Sequence, residues 1–179
     1  MKNSIELIRE KALAGKFIDV GDIAFLVRQA LKSNFKGCKF SVRTDHNSIR
    51  VSWQDGPASN AVNEVIGVFQ TKGFDGFIDL SYCKKIWIYA DGSATTAHVD
   101  GTQECGGYVP EYCGSAKSGD AVLADNVQAV WLSQSRNITP EFRQAIIDEL
   151  SEQWGREYIT AGTYRADQII WERCREVSR

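Results

Sequence analysis

TKGFDGFIDL, residues 71–80, sets two carboxylates, Asp75 and Asp79, four positions apart among aromatics and glycines. Whether this stretch is extended or helical decides both the fold class and whether the two acids can act together. Gly73 and Gly76 oppose a helix, while Phe77 and Ile78 favour a strand. The reading that fits is a turn at Asp75-Gly76 feeding a strand, with Phe74, Ile78 and Leu80 inward and Asp79 outward. At about 3.3 Å per residue the two acids then stand roughly 13 Å apart on one face. That is too far for a shared cation, and beyond the separation of about 5–9.5 Å that paired glycosidase carboxyls need.

Upstream, Asn3 and Glu6 form a weak capping box for a short helix carrying Ile5, Ile8, Ala12 and Leu13 and ended by Gly15. From Asp22 to Phe35 a stronger helix follows, its stripe Ile23, Leu26, Val27, Ala30 and Leu31 spaced for one buried face, with Gly37 closing it. Phe40 and Val42, then Ile49, Val51 and Trp53, alternate with polar residues around the turn-forming Asp45, His46, Asn47 and Ser48, which predicts a β-hairpin. Asp55-Gly56-Pro57 stops its second strand. Ser59 or Asn60 caps a helix with the stripe Val62, Val65, Ile66 and Phe69, ended by Gly73.

Downstream, KIWIYA (85–90), a turn at Asp91-Gly92 and a strand from Ala94 to Val99 read as a meander. The glycine density over residues 100–120 predicts a long surface loop, the most mobile part of the chain and a place for function. VQAVWLS (127–133) reads as a last strand. Thr139 as cap and Pro140 at the first helical position open a helix with the stripe Phe142, Ala145, Ile146, Leu150 and Trp154, and a final helix runs from Tyr164 to Val177. Trp53, Trp87 and Trp131 each sit at a position matching the apolar face of a strand. The whole predicts one α+β domain over residues 1–179: a largely antiparallel sheet with N-terminal helices, one inserted helix, and a helical part from 136 to 179 holding two C-terminal helices.

A chain of 179 residues, 43% apolar and 25% charged, suits a single globular domain. The net charge of −2 conceals an asymmetry: residues 1–90 hold 13 Lys and Arg against 9 Asp and Glu, and residues 91–179 hold 8 against 14. A mildly acidic whole does not favour nucleic acid as partner, although the basic first half leaves a local patch open; the acidic second half suits a basic partner or mimics nucleic acid. Charges at Glu6, Arg9, Glu10 and Lys11 interrupt the apolar run a secretion signal needs, and eighteen consecutive apolar residues occur nowhere. Five cysteines without a CxxC pair suit reduced thiols. Cytoplasmic residence is the expectation, with no membrane partner.

Candidate chemistry is sparse. A thiol or serine mechanism must use His46 or His98, and His98 is better placed, with Cys105, Cys113 or Asp79 as its partner in a small hydrolase or transferase. Cys83, His98, Cys105 and Cys113 lack the short paired spacing of a zinc motif, so no metal or other cofactor is expected. CGGYVPEYCG (105–114) has neither the GK[ST] of a phosphate-binding loop nor a GxGxxG fingerprint.

KFSVR, VSWQDGP, the following helix ending in FQ, KGFDGFIDL and GYVP, in that order, resemble the large polyvalent protein-associated domain, class twenty-nine, over residues 20–135. Domains of this kind occur in conjugative plasmids, phages and related mobile elements. Trp53, Asp55, Gly56, Pro57, Phe74, Asp75, Gly76 and Asp79 match the family pattern, and the resemblance carries no catalytic residue with it. It implies an accessory protein of a mobile element that binds a host protein or defence complex, such as a restriction or CRISPR component. The expected binding residues are Trp53, Asp55, Asp75 and Asp79, together with Glu104, Tyr108, Glu111 and Tyr112 in the glycine-rich loop. An enzyme centred on His98 and a single-stranded nucleic-acid accessory protein are the alternatives.

Overall fold

A computed structural model describes residues 4–177, and its first two helices, α1 (Ser4–Leu13) and α2 (Val20–Asn34), form where the apolar spacing predicts them. The Asn3 cap expected for α1 lies outside the described residues. Asp19 caps α2 by accepting from the backbone N–H of Gly21 and Asp22, and Asp22 returns the bond to the Asp19 N–H, which completes a capping box. The stripe Ile23, Leu26, Val27 and Leu31 is buried. Lys11 reaches Asp22 at 2.8 Å and fastens α1 to α2.

β1 (Phe40–Asp45) and β2 (Ser48–Gln54) make the expected hairpin, turning at His46 and Asn47. Next come α3 (Ser59–Ile66), β3 (Lys72–Asp75), β4 (Leu80–Ile88), β5 (Ala94–Val99), β6 (Tyr112–Cys113), β7 (Val122–Ala124) and β8 (Trp131–Asn137). Three helices close the chain: α4 (Pro140–Trp154), α5 (Arg156–Thr160) and α6 (Tyr164–Glu176). No helix among the described residues is long and apolar enough to cross a membrane.

The architecture is α+β, but the strands divide into two sheets. One has the order β1-β2-β8, with β8 parallel to β2; the other runs β3-β4-β5-β6 with β7 also on β4, and is antiparallel throughout. Thr71 joins them: its hydroxyl donates to the Gln128 carbonyl and accepts from the Val130 N–H, leaving a buried threonine fully bonded between the sheets. The main core lies between α1, α2, α3 and the inward faces of β2 and β4, from Ile8 through Ile23, Ile49, Val51, Trp53, Ile66 and Ile88. A second cluster, Phe142, Ile146, Leu150, Ile159, Ile170 and Cys174, is built from α4, α5 and α6.

Several local expectations fail, each for a tertiary reason. α3 starts after Ala58, with no side-chain cap, and yields to a 3-10 turn at Gly67–Phe69, so Gly73 does not end it. Gly73 instead lies in β3 under the Tyr82 ring, where a Cβ would come within 2.1 Å of the ring carbon. β8 begins at Trp131 because its register follows β2. Trp131 lies on the face opposite buried Ile49 and partly buried Leu132, Trp87 on the face opposite buried Ile86 and Ile88, and the Trp87 Nε1 donates to the Gly114 carbonyl. Trp154 ends its helix 51% exposed, and the closing segment has three helices, α5 being a short extra one.

Candidate functional site

TKGFDGFIDL is the tip of a hairpin. Asp75 pairs with Leu80, and Gly76 to Asp79 form a four-residue turn ending with Asp79 at φ 56°. The extended spacing expected for the two acids is therefore wrong, as is the inward placement of Phe74 and Leu80, which are exposed. Asp75 itself is fully buried. Its carboxylate accepts from the Phe77 N–H at 3.0 Å, the Tyr108 N–H at 3.0 Å and the Thr102 hydroxyl. The Thr102 oxygen in turn accepts from the Val109 N–H. Burial pushes the Asp75 carboxyl up, but these donors outweigh it and hold it below the ordinary carboxylate range.

The knot needs Gly107. A Cβ there would lie 2.3 Å from Asp75 Oδ2 and 2.4 Å from Thr102 Oγ1, so only glycine lets the loop backbone approach. Once fastened, hairpin tip and loop together present Phe74, Phe77 and Tyr108, which are 46%, 78% and 64% exposed. Asp79 and Glu104 are exposed in the same two segments.

A second constellation sits where β5 meets β6. His98 pairs with Cys113, and its Nδ1 lies 3.1 Å from Cys113 Sγ. Its Nε2 lies 3.0 Å from Asp100 Oδ1 and 3.9 Å from Glu111 Oε1. A carboxylate only accepts, so in the neutral ring Asp100 places the hydrogen on Nε2 and leaves the Nδ1 lone pair facing sulfur. Such a chain can exchange a proton between thiol and imidazole or hold a soft cation. Cys105 and Asp79, the other partners considered for His98, are not bonded to it.

A third feature is the outward face of the β1-β2-β8 sheet. Arg43 stands directly opposite Arg50, which stands opposite Ser133; Ser41, Ser52 and Ser135 form the next row. Like charges across a strand pair repel, so the pair favours an anion between or above them.

The remaining site residues divide by burial. Trp53 is buried, with its Nε1 donating to the Pro57 carbonyl, and Asp55 accepts from the Thr139 N–H and hydroxyl at 2.9 and 2.8 Å. Both side chains are engaged within the fold, Asp55 while half-buried. Glu104, Tyr108 and Glu111 are exposed on the loop, and Tyr112 is exposed at the start of β6. Sequence reasoning missed Thr102, Gly107, Asp100, Arg43 and Arg50. A threonine and a glycine in a glycine-rich loop carry no local signal, whereas the Arg43–Arg50 pairing follows from the hairpin register once the turn at 46–47 is fixed.

A scan against family models matches residues 18–108 to the large polyvalent protein associated domain 29. That match takes in just over half of the chain. The protein belongs to the LPD29 family. No curated protein and no solved structure gives a significant match. The LPD29 segment stops well before the boundary at 135 expected from the resemblance, yet it holds Asp75, Phe77, Thr102, Gly107 and Tyr108, all of the knot but Val109. It also holds His98 and Asp100 but not Glu111 or Cys113. Membership associates this LPD29 protein with mobile genetic elements.

Proposed function

We propose that this LPD29 protein is a mobile-element accessory protein that works by binding a protein of the bacterial host cell, and that it inhibits a restriction or CRISPR defence component. The observation that carries the reading is the buried Asp75 knot, which holds exposed aromatics of the hairpin tip and loop in one fixed arrangement. Exposed Phe and Tyr supply interface area, and prior fixation of their backbone reduces the ordering that association would otherwise require. Asp79, Glu104 and Glu111 give the two segments an acidic character, so the complementary partner surface is basic, as nucleic-acid-binding surfaces of defence enzymes are. The test is capture of host proteins from a cell lysate on immobilised protein, with a Phe77→Ser/Tyr108→Ser variant of unchanged melting temperature alongside. A defence component retained by the wild type, eluted by salt and absent from the variant supports the reading. Equal retention by both proteins, or retention of none, rejects it.

One observation favours a second reading. The Arg43–Arg50 pair, which has no acidic ion partner among the described residues, is suited with its rows of serines to a phosphate backbone, in keeping with a single-stranded nucleic-acid accessory role. Binding of single-stranded DNA or RNA that weakens with salt, with a log–log slope that falls by about one when Arg50 becomes Ala, would support it. Salt-independent or absent binding removes it.

A further inference from the structure

We propose that His98 Nδ1, Cys113 Sγ and the Glu111 carboxylate form a binding site for a thiophilic divalent cation of the zinc class, with Asp100 as the residue that positions the imidazole. The three residues converge: one ligand atom from each falls within 4.8 Å of the others.

The ligand chemistry is specific. Thiolate, imidazole and carboxylate are the donors zinc takes, and a tetrahedral zinc at about 2.3 Å from sulfur and 2.0–2.1 Å from nitrogen holds those two atoms about 3.5 Å apart. His98 Nδ1 and Cys113 Sγ are 3.1 Å apart, so binding requires only a small opening of a contact already made. The cation replaces the thiol proton, which leaves to solvent. Asp100, accepting from Nε2–H, supplies the carboxylate–histidine arrangement that fixes the ligand tautomer and strengthens the imidazole as a donor. Three protein ligands leave the fourth position to water.

The scaffold is rigid where it must be. β6 is pinned to β5 by the His98–Cys113 pairing and by the Gly114 N–H donating to the Ala97 carbonyl at 2.7 Å, while Trp87 Nε1 holds the Gly114 carbonyl from the other side. Glu111, one residue before β6, is exposed, and its Oε1 lies 3.9 Å from His98 Nε2, so its carboxylate has to turn toward the Nδ1 side of the ring to join the ion. Cys83 and Cys105 are exposed thiols outside this group and serve as internal controls.

The site is tested by titrating the reduced, full-length chain with Co2+ as a spectroscopic stand-in for zinc, reading sulfur-to-cobalt charge-transfer absorption. Saturation at one equivalent, reversal by Zn2+, loss of the band in Cys113→Ser and retention in a Cys83→Ser/Cys105→Ser double variant are the expected results. His98→Ala abolishes tight binding, and Asp100→Asn weakens it about 10–100-fold. Zn2+ raises the melting temperature of the wild type but not of Glu111→Gln to the same extent. Absence of a charge-transfer band in the wild type, or a band that survives Cys113→Ser or is indifferent to His98→Ala in folded protein, overturns the proposal. The same holds if the only effect of the triad is rapid alkylation of Cys113 with no metal bound.

Discussion

Asp75 accepts three hydrogen bonds from groups 2, 27 and 33 residues away, and each donor favours its charged form. Its folded pKa lies below the unfolded value of about 3.9, so the stability it contributes is complete above about pH 4 and disappears as pH falls through the lower folded value. Asp75→Asn turns one acceptor oxygen into a donor facing donors. The variant should melt lower than wild type at neutral pH, and its melting temperature should fall less steeply as pH drops below about 4, because the carboxylate that wild type must protonate is gone. Parallel thermal scans across that range decide the point; curves of identical shape would show that Asp75 carries no such linkage. Gly107→Ala should loosen the same knot by overpacking, at about 1–3 kcal/mol in chemical denaturation. Gly119→Ala, where nothing lies within 4 Å of the new methyl, should be neutral. The sequence marked Asp75 as a turn residue, which it adjoins, but not as a buried one, since its partners come from a loop whose return path no local pattern encodes.

Between elements, Arg136 on β8 is the joint. Its guanidinium donates to the carbonyls of Asp55 and Gly56 after β2 and of Cys174 and Val177 at the end of α6, and lies 4.9 Å from the Phe142 ring centroid. Burial lowers its pKa from the ordinary guanidinium value, and Asp55 opposes that shift. Asp55 also bonds Thr139, whose hydroxyl accepts from the Phe142 N–H to cap α4. Thr139→Ala should therefore cost more than the roughly 1 kcal/mol of an ordinary cap, because the Asp55 carboxylate loses a donor as well. Thr139→Ser, which keeps the hydroxyl, should recover most of the difference in urea titrations; failure to recover would assign the loss to the methyl group. Here the local signals were legible: Thr139 and Pro140 announced α4, and the stripes of α2 and the β1-β2 hairpin fell where the spacing placed them. The strand before α4 was not, because pairing with β2 sets its limits and that partner lies about eighty residues earlier.

At the scale of the whole molecule, the two apolar clusters have no described residue in common and are bridged by the Arg136 joint, so the C-terminal helices should behave as a cooperative unit of lower stability than the α2–β2–β4 core. Ile146 is fully buried at the centre of the smaller cluster and Ile66 is fully buried in the larger. Each truncation to alanine removes comparable apolar volume and should cost about 2–5 kcal/mol locally. The consequences differ: Ile146→Ala should raise amide hydrogen exchange across residues 140–176 while protection in α2 and β2 persists, whereas Ile66→Ala should lower protection throughout. The LPD29 match ends at residue 108, before β6, β7 and β8 as well as before this helical segment. If Ile146→Ala accelerates exchange in α2 and β2 as much as in α4 and α6, the two clusters unfold as one, and the joint at Arg136 is an interior of a single cooperative body rather than a seam.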